Sequence, residues 1–278
     1  MSPGNNTKTY PAFRFEKGVY TPDSLELIGE EPLMIRVDDK PYSVVMRTPG
    51  EEEFHAAGLC LGEGLADTVH DFETIGYDAN SDPNLIDIWL TPERRKKIPD
   101  LLKRRSYVSQ TSCGICGKKM MEDLNQVLKP ADNGFEMEIN HIFECVKKLS
   151  EKQSFYPRTR GSHAALIFDD KSGVVSFSED VGRHNALDKA IGKLFMTNTL
   201  NTARLLVLSS RISYELVQKA ARARIPMIIS KSRPTALAVD MGKSLNMTLA
   251  CAFESKNLII FSGENRIKRE GTGAKIDV

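Results

Sequence analysis

The stretch Leu205–Ile229, LLVLSSRISYELVQKAARARIPMII, decides the fold class. It opens on four consecutive apolar residues and closes on Met227-Ile228-Ile229, with Ile212, Leu216, Val217, Ala220 and Ala223 at helical spacing between them. Short apolar runs without polar alternation are strands covered on both faces, so the unit is strand, helix, strand. Working outward, Ala164–Phe168 and Val174–Phe177 are strands of the same kind. Ala186, Leu187, Ala190, Ile191, Leu194 and Phe195, and then Leu237, Met241 and Leu245, repeat the helical period. Leu249–Phe253 and Leu258–Phe261, joined by Glu254-Ser255-Lys256-Asn257, form a closing hairpin. The expectation is an α/β lobe over about residues 150–270, with a mostly parallel sheet between helices.

The first half reads differently. Residues 1–20 contain Pro3, Gly4, Asn5, Asn6 and Pro11 with little periodicity and are expected to be a flexible tail. Leu33–Val37 and Tyr42–Met46 flank Asp38-Asp39-Lys40-Pro41 as a hairpin, and Thr74–Tyr77 with Leu85–Leu90 form a second strand pair. Between the pairs, Glu51-Glu52-Glu53 is an acidic first turn for a helix carrying Phe54, Ala57, Leu61 and Leu65, with Cys60 on its packing side. A β-rich lobe over about 21–110 and a cysteine segment over about 111–120 therefore precede the α/β lobe.

Composition bounds the function. The 278 residues are 41% apolar and 27% charged, and 38 Lys and Arg against 37 Asp and Glu leave a net charge of +1. Such a balance gives the chain no overall attraction to nucleic acid or anionic membrane, so any anion site must be local. No run approaches the roughly 20 apolar residues of a spanning helix, and the polar N-terminus lacks a signal-like apolar core, so a cytoplasmic location is expected. Five cysteines, Cys60, Cys113, Cys116, Cys145 and Cys251, do not form a secreted disulfide framework.

Two constellations carry chemistry. In Thr111-Ser112-Cys113-Gly114-Ile115-Cys116-Gly117-Lys118-Lys119, two close thiols sit beside two cations that favour a thiolate or persulfide. Zinc would require two more ligands, and Cys60, Cys145 and Cys251 are isolated in strand-like or periodic segments, so no metal is expected. A thioredoxin-like dithiol would lie at the start of a helix in a small βαβ unit, and the deaminase pattern H-x-E followed by P-C-x-x-C is absent. Nucleophilic sulfur chemistry led by Cys113 is the favoured reading, beside zinc and a purely structural pair. The second constellation, Ser178–Lys189, joins a strand to a helix, with Asn185 as a candidate cap and Arg183 and His184 at the helix start, where an anion is favoured. Arg158, Arg160, Gly161, Ser162 and His163 precede one strand, and Ser209-Ser210-Arg211 follows another. Polar and basic strand ends at one sheet edge are where open α/β folds bind ligands.

Taken in order and spacing, Arg47-Thr48-Pro49-Gly50 with Gly62-Glu63-Gly64, Ser112–Gly117, Gly161–Ala165, Glu179–Lys189 and Ser232–Val239 resemble the formate dehydrogenase accessory protein family FdhD, also described as sulfur carriers or sulfurtransferases. The resemblance runs from about residue 25 to 270. It implies a cytoplasmic, homodimeric protein with a cytidine-deaminase-like layered core. Such a protein takes sulfur from a cysteine desulfurase and passes it to the molybdenum cofactor of formate dehydrogenase, a bis(molybdopterin guanine dinucleotide) held as bound substrate. It places the persulfide on Cys113, with Cys116 as its partner. It places the guanine dinucleotide segment at Ala252, Phe253, Glu254, Ser255, Lys256 and Asn257, and gives the basic strand ends, His163, Arg183, His184 and Arg211, a ligand. Ser210 and Ser162 depart from the residues usual in the family. Two rivals are a chaperone that binds the cofactor without carrying sulfur, and a zinc-binding interaction module.

Overall fold

Residues 6–77, 82–99, 128–253 and 257–268 are described by a computed structural model. The sheet of the second half has six strands. Strand β8 (His163–Phe168) lies beside β9 (Val174–Asp180) and β10 (Leu205–Leu208), followed in space by β11 (Met227–Ser230), β12 (Thr248–Phe253) and β13 (Asn257–Ser262). Only the β10–β11 and β11–β12 pairings are parallel; β8–β9, β8–β10 and β12–β13 are antiparallel. The sheet is therefore mixed, which corrects the expectation of a mostly parallel one. The reason is chain length: the connections β8–β9 and β12–β13 are a few residues long, and a parallel crossover needs a dozen or more.

Burial on both faces follows the unbroken apolar runs. Alternate residues of each strand enter two cores: Ala165, Ile167, Leu206, Leu208, Ile228 and Leu249 point one way, and Leu166, Phe168, Leu205, Val207, Ile229 and Ala250 the other. Preceded in the chain by the short helix α2 (Pro92–Lys97) and the strand β7 (Met137–Glu138), helix α3 (Ile139–Lys152) covers the second face with Ile142, Cys145 and Leu149. Helices α5 (Arg183–Met196), α6 (Tyr214–Arg222) and α7 (Ala236–Ser244) cover the first.

The first half builds a four-stranded sheet in the order β4-β3-β6-β5, from β3 (Glu31–Val37), β4 (Lys40–Arg47), β5 (Phe72–Tyr77) and β6 (Leu85–Leu90). Asp38 and Asp39 make the β3–β4 turn, both at positive φ. Helix α1 (Glu52–Glu63) ends at Gly64, whose left-handed φ of 78° lets its N–H reach back to the Cys60 and Leu61 carbonyls. Leu33, Ile35, Ile86 and Ile88 of this sheet and Ala56, Ala57 and Cys60 of α1 enter the same core as α5, so the two lobes share one interior.

The α1–α5 crossing is close enough to require glycine on both sides. A Cβ on Gly58 would lie 1.9 Å from the Asp188 carbonyl oxygen, and one on Gly192 would lie 1.8 Å from that of Phe54. Beside this crossing, the His55 ring is fully buried and neither nitrogen has a hydrogen-bond partner. Burial, reinforced by Lys189, Lys219 and Arg47, holds its pKa well below the ordinary imidazole value. The unfolded chain therefore takes up a proton near pH 6.5 that the folded chain refuses, and stability falls as pH drops below that value. Denaturant unfolding at pH 7.5 and 5.5 is expected to differ by about 1 kcal/mol through this residue, and the difference should shrink in His55→Gln. An equal loss in both proteins would assign the effect to other groups.

The N-terminal stretch is a second correction. Instead of a tail, β1 (Thr7–Glu16) and β2 (Val19–Ile28) pair along their whole length as a ribbon. Aromatic and aliphatic residues alternate with polar ones here, and Lys17-Gly18 turns the chain with both residues at positive φ. Arg158 anchors the ribbon through Glu26, and Thr7 donates to the same carboxylate. These contacts hold the Glu26 carboxyl down to about 2.

Candidate functional site

Strand direction collects the ligand-like residues. Because β8 and β13 run against β9, β10, β11 and β12, one sheet edge holds the start of β8 (His163), the end of β9 (Asp180), and the ends of β10, β11 and β12. The same edge holds the start of β13 (Asn257). A cavity of about 380 Å³ opens there, lined by Arg160, His163, Ser209 and Lys231 and completed by Gln153, Tyr156, Gly161, Ser162 and Ser232. It sits at the carboxyl ends of parallel strands β10 and β11, the position open α/β sheets use for ligands.

Two buried carboxylates shape this edge. Glu179 accepts the backbone N–H groups of Ser154 (2.8 Å), Phe155 (3.0 Å) and Tyr156 (2.8 Å), and the Ser162 hydroxyl (2.5 Å). It thereby ties one cavity wall, including the short helix α4 (Tyr156–Thr159), to the end of β9. Next to it, Asp180 accepts from Thr48 N (3.1 Å), Gly182 N (2.8 Å), Asn185 Nδ2 (2.9 Å) and Lys189 Nζ (2.6 Å). Lys189 also donates to the Thr48 carbonyl (2.7 Å). The Arg47–Gly50 turn of the first lobe is thus pinned to the Glu179–Lys189 run of the second. Asp188 and Lys219 form a further buried pair at 2.8 Å.

His163 lines the cavity, and burial with nearby Arg183 and His184 lowers its pKa below the usual imidazole value. His184 sits at the start of α5 with Nε2 2.8 Å from Glu215, and that contact holds the Glu215 carboxyl low. Arg183 precedes it, and Arg211 is exposed just after β10 at the same edge. Asn185 is not a cap: Gly182 occupies the cap position, and the Asn185 amide is spent on Asp180 and the Met46 carbonyl. Arg158 is consumed by the ribbon and does not line the cavity. Ala252 is buried in the second core, which leaves Phe253 and Asn257 as the described ends of the β12–β13 turn. Cys113, Cys116, Glu254, Ser255 and Lys256 lie outside the described residues.

Sequence reasoning missed Lys231, Tyr156 and Gln153, and quoted Ser232 only within the Ser232–Val239 resemblance. The signal for Lys231 was available, since Lys231-Ser232 directly follows a strand as Ser209-Ser210-Arg211 does. The three described cysteines are buried, and burial raises all three thiols, Cys145 to about 11. Such thiols are poor nucleophiles. Among the described residues no cluster of three or more His, Cys, Asp or Glu is arranged to hold a metal, and no helix is long and apolar enough to cross a membrane.

A model of the FdhD/NarQ family matches residues 28–268. The chain belongs to this family. Its curated relatives include the sulfur carrier protein FdhD of Streptomyces avermitilis, 31% identical over 98% of this chain and 99% of the relative. That of Saccharolobus solfataricus is 32% identical over 95% and 99%, and that of Mycobacterium tuberculosis is 34% identical over 87% and 91%. A crystal structure assigned to a formate dehydrogenase accessory protein of Desulfotalea psychrophila superposes with a TM-score of 0.75 at 20% identity, covering 94% of this chain and 99% of that one. The likeness extends the mixed α/β fold to that structure. The matched region includes the Glu179–Lys189 run, whose Asp180, Asn185 and Lys189 side chains bond to Thr48 and Met46 of the first lobe.

Proposed function

We propose that this chain is a sulfur carrier that serves formate dehydrogenase, with Cys113 as the carrying thiol and a molybdenum bis(molybdopterin guanine dinucleotide) as the bound substrate. The observation that carries the reading is the sheet edge itself: it gathers Arg160, His163 and Lys231 around one cavity, with Arg183 close to His163, in a chain whose family members are named sulfur carriers. Positive charge at strand ends suits the phosphoryl groups of such a cofactor. In the first half-reaction the Cys113 thiolate attacks the outer sulfur of a cysteine desulfurase persulfide. The sulfur–sulfur bond breaks, the desulfurase cysteine leaves as a thiolate, and Cys113 carries the sulfur. Release of that sulfur to molybdenum at the sulfide level takes two electrons, which a dithiol reductant supplies. Lys118 and Lys119, close to Cys113 in sequence, favour its anionic forms, and Cys116, three residues on, protects or resolves the persulfide.

The test is to incubate the chain with a cysteine desulfurase and cysteine and to record peptide masses without reductant. One added sulfur on the Cys113 peptide, absent in Cys113→Ser together with dehydrogenase activation, is the expected result. Full activation by Cys113→Ser would overturn the carrier and leave a chaperone that only delivers the cofactor.

A further inference from the structure

We infer that two buried arginines, Arg94 and Arg266, are positioning residues: they fix the two points where the chain that carries Cys113 leaves and rejoins the core, and so set where Cys113 can work. The purpose of the anchoring rests on the proposed sulfur relay; the anchoring itself rests on contacts among the described residues.

Three observations carry it. First, residues 100–127, which include Cys113 and Cys116, are flanked by Ile98 and Leu128, both buried in the core that the two lobes share. Second, an arginine ties each flank to main-chain carbonyls. Arg94 of α2, 5% exposed, donates from Nε to the Leu65 carbonyl (2.8 Å) and from Nη2 to the Gly64 carbonyl (2.7 Å) at the end of α1, and pairs with Asp67. Asp67 also takes Arg222 of α6 at 2.7 Å, so three helices meet at this root. At the other root, Arg266 Nη2 donates to the Asp132 carbonyl and reaches the Asn133 side chain. Asn246 Nδ2 donates to the Ala131 carbonyl (2.8 Å) and to Asn133 Oδ1 (2.9 Å), and the Ala131 N–H donates to the Leu245 carbonyl (2.8 Å).

Third, Arg266 is a costly way to fill a core. It is fully buried, it takes the Asp132 carbonyl rather than a carboxylate, and among the described residues its Nε and Nη1 have no partner. A buried charge without an opposite charge destabilises a fold, and an apolar side chain of similar volume often does better. What the guanidinium supplies, and methionine could not, is the grip on residues 132 and 133. Cys113 is 15 positions from Leu128, a span of at most about 50 Å, and every residue released at a root adds about 3.5 Å to it. A firm root therefore limits the positions open to the sulfur-bearing thiol.

The experiment joins a distance to a transfer rate, on the full chain. Spin labels are placed on Cys113 and on Lys171→Cys of the exposed β8–β9 turn, in a Cys116→Ser background, and their separation is recorded by pulsed electron paramagnetic resonance. Arg266→Met should shift or broaden the distribution of distances. So should Asn246→Gly, chosen because glycine accepts the φ of 50° at that position, and Arg94→Met from the other root. Without the labels, Arg266→Met should unfold at or above the wild-type urea midpoint and take up as much sulfur from a small persulfide donor. Once loaded, it should activate the dehydrogenase about tenfold more slowly. A residue that only stabilised the fold would lower the midpoint and leave transfer by the loaded protein unchanged. Wild-type distances in all three variants would overturn the inference, as would wild-type activation by a loaded Arg266→Met whose distances had shifted. Failure of the carrier is separable: a wild-type chain that takes up no sulfur overturns the relay, while the distances still decide the anchoring.

Discussion

Gly58→Ala is expected to lower the unfolding free energy by about 3 kcal/mol, a large share of the roughly 5–15 kcal/mol that holds a domain together. Two effects oppose each other. Alanine is the better helix former by about 1 kcal/mol, but its Cβ would lie 1.9 Å from the Asp188 carbonyl oxygen and 2.9 Å from the Asp188 Cα. Both are backbone atoms of a helix packed on the sheet, so relief requires α1 and α5 to move apart and open the shared core. Gly192→Ala meets the same obstacle from the other side, 1.8 Å from the Phe54 carbonyl oxygen. Gly76→Ala is the control, since its nearest neighbour would be the Asp87 carbonyl oxygen at 4.0 Å. Urea denaturation followed by circular dichroism should show midpoints well below wild type for the two helix variants and an unshifted one for Gly76→Ala. A wild-type midpoint for Gly58→Ala would mean that the helices part without cost.

Lys189→Met is expected to cost about 4 kcal/mol, the range measured when one member of a buried ion pair is deleted. Lys189 is 2% exposed and Asp180 fully buried. Without the ammonium, Asp180 keeps its bonds from Thr48, Gly182 and Asn185 but carries a buried charge with no opposite charge bonded to it. The Thr48 carbonyl loses its donor at the same time. Asp180→Asn combined with Lys189→Met should cost clearly less than the two single changes summed, because the double variant buries no charge at this point. Additive losses in that cycle would show that the pair contributes only as packing.

Much of the second lobe was legible because its strands are apolar on both faces and its helices keep the 3.6 period, so Leu205–Ile229 yields strand, helix and strand at close to the observed boundaries. Strand direction was not, because periodicity is blind to it; the brief Asp169–Gly173 link was the available clue. The start of the ribbon escaped because Pro3, Gly4, Asn5, Asn6 and Pro11 read as a loose tail, yet Pro11 sits in a two-stranded ribbon where every strand is an edge and a missing N–H is tolerated. At the site, the basic strand ends were visible as residues following or preceding apolar runs. The roles of Glu179 and Asp180 were not, since Thr48 and Asp180 are 132 positions apart and nothing local joins them.

That separation bears on how the protein is made. Helix α1 finds its cover only when residues near 180–195 exist, so the ribosome releases the whole first lobe with an apolar helix face still uncovered. At roughly 5–20 residues per second, the wait for α5 lasts on the order of ten seconds. During that interval the nascent lobe is a natural client for chaperones, and expression slowed by cold or rare codons lengthens its exposure.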